Sequence, residues 1–303
     1  MSTITGWTIA VSGASGFVGA ALVRSLRAQG ASVKRLVRSA PRDPATDIAW
    51  NPAAPLDPAA FDGLDAVVHL AGESIAGLWT AGKKARIRNS RVEGTRHLAT
   101  ALAQCAKRPR VLVCASAIGF YGDRGDEVLR EDSPPGSGFL ADVCREWEAA
   151  AQPARDAGIR VVHLRFGMVA SPTGRALKQM LLPFKLGLGG RLGSGRQYMS
   201  WISLDDAVGV IQHALLTDSL AGPVNAVAAD SLTNSQFTKT LGAVLHRPTI
   251  FPVPEFVLRL MLGQMGEEVL LASQRVEPAR LLASGYRFRH PRLKEALEEM
   301  LKR

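Results

Sequence analysis

The chain has 303 residues, 47% of them hydrophobic and 21% charged, with a formal net charge of +10. This is ordinary globular composition, which excludes disorder as an overall description, and the length fits one large domain or two unequal lobes. The surplus cations are scattered. The local groups Lys83, Lys84, Arg86, Arg88, Arg91 and Lys107, Arg108, Arg110 form no long run and have no interleaved aromatics, so nucleic acid is not expected as a partner.

No apolar run approaches the ~18 residues that a bilayer span needs, so no membrane partner is expected either. Cys105, Cys114 and Cys144 form no CxxC pair and no metal-binding spacing with histidine, and no metal is expected. No secretory leader pattern opens the chain. Unpatterned cysteines fit a reducing compartment, and the expected location is the cytoplasm.

Taken in chain order, Thr8 to Ser12 (TIAVS) reads as a buried strand and Phe17 to Gln29 as an amphipathic helix ended by Gly30. Strands are predicted at Val33 to Arg38, Ala66 to Leu70, Val111 to Ser116 and Arg160 to Leu164, with helices over Lys83 to Cys105 and Phe139 to Arg155. Continuous apolar strands alternating with helices predict an α/β fold, a Rossmann-type doubly wound parallel sheet. After Arg165 the pattern changes. Gly187 to Gly195 is hard to place as regular structure, Asp205 to Leu216 resumes a helix, and Pro223 to Val227 reads as one more strand. From Pro248 the chain is helical and broken by prolines. The expected division is a dinucleotide-binding domain over residues 1–165, to which about 205–228 returns, and a smaller, mostly helical substrate lobe over 166–303.

The strongest motif is Gly13-Ala14-Ser15-Gly16-Phe17-Val18-Gly19, delivered by a strand and left by a helix. Gly13 permits the tight turn, Gly16 a close approach to a pyrophosphate, and Gly19 tight packing of helix on strand. Exposed N–H groups and the helix dipole then favour an anion. The end of the second strand selects the cofactor. It reads Leu36-Val37-Arg38-Ser39 with no acid to receive a ribose 2′-hydroxyl, whereas the Arg38 guanidinium suits a 2′-phosphate. NADP(H) is preferred to NAD(H), the alternative being that Arg38 is a solvated surface charge.

Several segments together resemble the extended, epimerase/dehydratase-like branch of the short-chain dehydrogenase/reductase superfamily. They are GASGFVG, VVHLAGE at Val67 to Glu73, SAIGFYG at Ser116 to Gly122, Glu131 to Ala151, and LRFGMV at Leu164 to Val169. Leu182 to Ile202 and a C-terminal segment from about Thr249 to Leu297 make the chain similar to an atypical epimerase-family group within it. The resemblance implies a pyrophosphate site at Gly13, Ser15, Gly16, Phe17 and Val18, with Arg38 on the 2′-phosphate. It places Leu70, Ala71, Gly72 and Glu73 on the adenosine and ribose side, and implies further cofactor contacts from Arg91 and Arg165. The alternative for Glu73 and Arg91 is that they are ordinary surface charges.

Reductases of that superfamily use a Tyr-x-x-x-Lys pair on one helical face, the ammonium lowering the phenol pKa. Here the matching helix puts Leu140 and Cys144, or in the neighbouring register Phe139 and Val143, at those places. Ser116 ends the preceding strand, but Ala117 fits the polarising position. Tyr121 is the best substitute acid, with Ser116 as a polarising hydroxyl; the other reading has Tyr121 packing as a loop aromatic. Cys144 is either a reactive thiol or a buried, inert one. Arg191, Arg196 and Gln197 could hold an anionic or polar small-molecule substrate against Tyr198 and Trp201, or belong to a surface loop. Two functions follow: an NADP(H)-dependent oxidoreductase or epimerase-like enzyme with nonstandard acid/base groups, and a non-catalytic NADP(H)-binding sensor or assembly protein.

Overall fold

The computed structural model describes residues 3–302. Seven strands build one sheet: β1 (Thr8–Ser12), β2 (Ser32–Val37), β3 (Asp47–Ala49), β4 (Ala66–His69), β5 (Val111–Ala117), β6 (Arg160–Phe166) and β7 (Gly222–Ala226). All neighbours are parallel, in the order β7-β6-β5-β4-β1-β2-β3. The strand order reverses between β1 and β4, and at such a switch point the crevice beyond the strand ends is open to a ligand.

The helices in chain order are α1 (Phe17–Ala28), α2 (Ala81–Gln104), α3 (Phe139–Ala149), α4 (Gln152–Asp156), α5 (Arg175–Lys185), α6 (Leu204–Leu216), α7 (Asn234–Leu245), α8 (Glu255–Leu262), α9 (Ala279–Ala283) and α10 (Leu293–Lys302). Strand side chains alternate between two apolar cores. Ile9, Val11 and Val68 pack with Leu22 and Leu26 of α1 and Ile211 and Leu215 of α6. Ala10, Val67 and Leu112 face the other way, onto Leu98 and Leu102 of α2 and Ala154 of α4. Covering on both faces is why these strands are apolar throughout rather than at every second residue. A third core joins Leu177 and Leu181 of α5, Phe237 and Leu241 of α7, and Leu293 and Leu297 of α10 around Trp201.

The C-terminal segment is tied back to the sheet-bearing part. Arg275–Val276 pairs in parallel with Val128–Leu129. The Asn225 side-chain amide on β7 donates to the Glu277 carbonyl at 2.9 Å. No helix among the described residues is long and apolar enough to cross a membrane.

Most element ends fall within one or two residues of expectation. The single helix expected over Phe139 to Arg155 is two: α3 stops at Ala149, and α4 starts afresh with Pro153 in its first turn. Proline cannot donate a helical bond and crowds the preceding turn, so it restarts a helix rather than continuing one. β3, α5 and α7 are elements that the sequence pattern does not announce by periodicity. A capping box announces α7: the Thr233 hydroxyl accepts from the Gln236 N–H, and the Gln236 side chain accepts from the Thr233 N–H.

Candidate functional site

The C-terminal ends of β1 and β4 are cross-linked by one hydroxyl. Ser12 Oγ accepts from the backbone N–H groups of Leu70 and Ala71 at 3.1 and 3.2 Å, and lies 2.6 Å from His69 Nδ1. Its own proton is thereby directed to Nδ1. Burial drops the His69 pKa to about 4, so the imidazole is neutral and the link carries no charge.

The chain then turns at Gly13, where φ is +67° and a Cβ would press against the backbone of Leu70 and Ala71. A Cβ at Gly19 would overlap the Gly13 carbonyl oxygen. These two glycines allow α1 to start directly against the strand ends. Gly16 is the N-cap of α1; it provides no side-chain cap, and the first turn carries no acid. The first N–H groups of the helix are therefore offered outward, as an anion site requires.

The turn opens on a cleft of about 840 Å³. Its lining includes Gly13, Ser15 and Gly16, the adjacent Leu70, Ala71, Gly72 and Glu73, and Arg38 just past β2. Phe17 and Val18 follow in the first turn of α1 and are not among the lining residues. Sequence reasoning missed several lining groups: Arg35, Arg42, Asp47, Trp50 and Ser90. Asp47, buried on β3, accepts from Arg35 Nε at 2.8 Å and from the Arg42 backbone N–H at 3.2 Å. Although burial raises its pKa, the Arg35 and Arg42 hydrogen bonds outweigh that and hold the carboxyl below its usual value. The strand carrying Asp47 is only three residues long, too short for a periodic signal.

Glu73 is braced from α2. Lys83 Nζ lies 2.6 Å from its carboxylate, and the Glu73 N–H donates to Ser90 Oγ at 3.0 Å. The Lys83 hydrogen bond leads the effects that lower its pKa. Arg91 sits beneath this wall. Its guanidinium packs where a Cβ of Gly72 would be, donates to the Glu73 carbonyl at 2.9 Å, and lies over the Trp147 ring. In this arrangement Arg91 supports the wall from behind.

Arg165, Ser116 and Tyr121 form a separate, buried group. Arg165 Nε and Nη2 each lie 2.8 Å from the Glu148 carboxylate, and Nη1 donates to the Tyr121 hydroxyl at 2.9 Å. Burial works against charge on both members of the pair, but their contact outweighs it: the Glu148 pKa falls and the Arg165 pKa rises. Ser116 Oγ donates to Glu148 Oε1 at 2.7 Å. The Tyr121 hydroxyl lies 2.7 Å from Asn225 Oδ1, the ring is fully buried, and burial raises its pKa. None of the three is among the residues lining the cleft. The structure thus places Tyr121 and Ser116 with their hydroxyls already engaged by protein.

On α3, Leu140 packs against Gly119, and Cys144 is buried with its pKa pushed up to about 12. Gln197 and Trp201 are also buried. Gln197 Nε2 donates to the Leu192 and Leu270 carbonyls, and Trp201 Nε1 to that of Asp230. Arg191 and Arg196 are exposed. Asp205, His290 and Glu299 bring potential metal-ligand atoms within 4.8 Å of one another. The Arg289 guanidinium already bridges two of them, 3.4 Å from Asp205 and 2.6 Å from Glu299.

Comparison with known proteins agrees with this architecture. Residues 9–226 match the model of the NAD dependent epimerase/dehydratase family, and residues 253–300 match a domain of unknown function, DUF1731. The epimerase family protein Mb2239 of Mycobacterium bovis is 42% identical over 291 residues, 95% of this chain and 96% of that protein. The crystal structure of human epimerase family protein SDR39U1 (isoform 2) with NADPH superposes with a TM-score of 0.89 at 36% identity, covering 97% of this chain and 99% of that one. A nucleoside-diphosphate sugar epimerase from Corynebacterium glutamicum gives 0.82 at 38% identity, covering 98% of this chain and 58% of that one. With its sheet order, glycine turn and C-terminal segment all accounted for, the chain belongs to the NAD dependent epimerase/dehydratase family.

Proposed function

We propose that the cleft holds NADP(H) and that the protein is an NADP(H)-binding member of its family without the usual tyrosine–lysine proton relay. The observation that carries the cofactor reading is the pairing of two features in one cleft: the uncapped start of α1 beside Gly13 and Gly16, and a lining that also holds Arg38, Arg35 and Arg42. The residues fit the group. The first offers N–H groups to a diphosphate, and the second offers cations to a further phosphate. The human relative crystallised with NADPH supports the same assignment. Leu70 and Ala71 would pack against the adenosine side, with Glu73 held ready by Lys83. When bound, the nicotinamide supplies a hydride donor or acceptor.

The absence of a relay is supported by composition and burial. Helix α3, Phe139–Ala149, contains neither tyrosine nor lysine, and Cys144 stays a neutral thiol. Holding the cofactor, as a sensor or assembly protein does, fits this apolar wall. The reading as an oxidoreductase or epimerase acting on an anionic or polar small molecule through other groups is favoured by family membership.

Calorimetric titration with NADPH and NADH tests the cofactor. NADPH is expected to bind more tightly, and Arg38→Asp to weaken NADPH by about ten- to a hundredfold while sparing NADH. No heat with either nucleotide, or equal losses for both, would sink the assignment. NADPH oxidation across carbonyl and sugar-nucleotide substrates separates the enzyme from the sensor.

A further inference from the structure

We propose that the face formed by α5 and the loops that follow α5 and α7 docks on an anionic lipid bilayer. Arg175, Lys178, Leu182, Lys185 and Leu186 are all exposed on α5 or at its C-cap. Their spacing, with Lys178 and Leu182 four apart and Leu182 four from Leu186, puts them on one stripe. Leu182 is 67% exposed, although Leu177, Leu181 and Phe184 of the same helix are buried in the core.

The stripe continues across two loops that lie side by side. Arg247 Nε donates to the Lys185 carbonyl at 2.9 Å, and the Phe251 N–H donates to the Gly189 carbonyl at 3.4 Å. This seats Leu188, 57% exposed, near Ile250, 71% exposed, and Phe251. Beyond Pro254, the outer face of α8 adds Phe256 and Leu260, the latter 84% exposed. Large side chains exposed together in this way are unusual on a protein surface that meets only water.

Charge decides between the possible occupants. Residues 173–203 carry Arg175, Lys178, Lys185, Arg191 and Arg196 with no aspartate or glutamate, and residues 231–254 carry Lys239 and Arg247, again with no acid. At α8 and the turn after it, Arg259 pairs with both Glu255 and Glu267. A second copy of this chain would set one cationic face against another, which is repulsive. An anionic bilayer attracts the lysines, whose stems reach past the leucines while the apolar side chains enter the acyl boundary. No long apolar run announces this face, because its residues come from separate stretches of chain. A face assembled in this way leaves no membrane signal along the chain.

Vesicle co-sedimentation tests the proposal. The protein is expected to sediment with vesicles of two-thirds phosphatidylcholine and one-third phosphatidylglycerol, to ignore pure phosphatidylcholine, and to be released by high salt. Lys178→Gln with Lys185→Gln should weaken binding about thirtyfold. Leu182→Asp with Phe251→Asp should abolish it, with circular dichroism melting unchanged because these side chains are exposed. No sedimentation with the anionic vesicles, or binding indifferent to the aspartates, overturns the proposal. So does concentration-dependent dimerisation in sedimentation velocity that Leu182→Asp removes. Retention on polyglutamate without retention on vesicles overturns it in favour of an acidic protein partner.

Discussion

The carboxylate of Glu268 caps α3 at Leu140, accepting from the Leu140 N–H at 2.8 Å and from the neighbouring Phe139 N–H at 3.0 Å. Glu268 lies in a π-helical turn, Gly266–Leu271, and Gln264 Nε2 donates to it at 2.6 Å. The N-cap of α3 is Gly138, which has no side chain to do this itself. Glu268→Ala is expected to cost about 0.5–2 kcal/mol, and Glu268→Gln less, because an amide oxygen still accepts one bond. Urea denaturation of the three proteins checks the order.

Tyr121→Phe removes a hydroxyl that contacts both Asn225 and Arg165. Leaving a buried guanidinium N–H without its acceptor is expected to cost about 1–3 kcal/mol. NADPH affinity should be unchanged, since Tyr121 is not among the residues that line the cleft. Parallel denaturation and calorimetry decide this; weaker NADPH binding at full stability would mean that the hydroxyl faces the ligand.

Stability should fall on mild acidification, before most carboxylates titrate. Burial holds the His69 and His163 pKa values at about 4, against about 6.5 in an unfolded chain. Between those values the unfolded chain binds more protons than the folded one. Each histidine's contribution, on the order of 3 kcal/mol, is complete above pH ~6.5 and is lost as the pH falls toward ~4. Urea melts between about pH 7 and pH 5 should show the slope, and His69→Gln should flatten it.

The three thiols should be inert in the folded protein. All are buried, and burial pushes Cys105 up to about 11 and both Cys114 and Cys144 to about 12. Since the thiolate is the reactive form, a chromogenic disulfide reagent near neutral pH should label none before denaturant is added and three afterwards. Rapid native labelling of Cys144 would reopen it as a reactive thiol.

The sheet and the glycine turn were legible because burial on both faces and tight backbone approach each demand particular residue types. Phe17 to Gln29 and Val111 to Ser116 show this, matching α1 and β5 within a residue. Asp47 was not legible: its work is to hold Arg35 twelve residues away, on a strand with no pattern of its own. Ser12 read as the end of a strand, and only the register beside His69 makes it a cross-link. Tyr121 and Arg165 carried chemistry-bearing side chains at suggestive places, yet their partners Glu148 and Asn225 come from distant chain and engage them in the interior.

The strand pair of Val128–Leu129 with Arg275–Val276, and the bond from Asn225 to Glu277, have a bearing on how such proteins can be recombined. A chimera that takes its last fifty residues from another relative would import one half of each of these couplings. On the imported side both couplings use main-chain groups, so grafts should succeed when the recipient keeps Asn225 and the donor segment keeps its backbone course over residues 275–277. Variation is therefore expected to be free at Glu277 and restricted at Asn225, the one side chain in these couplings.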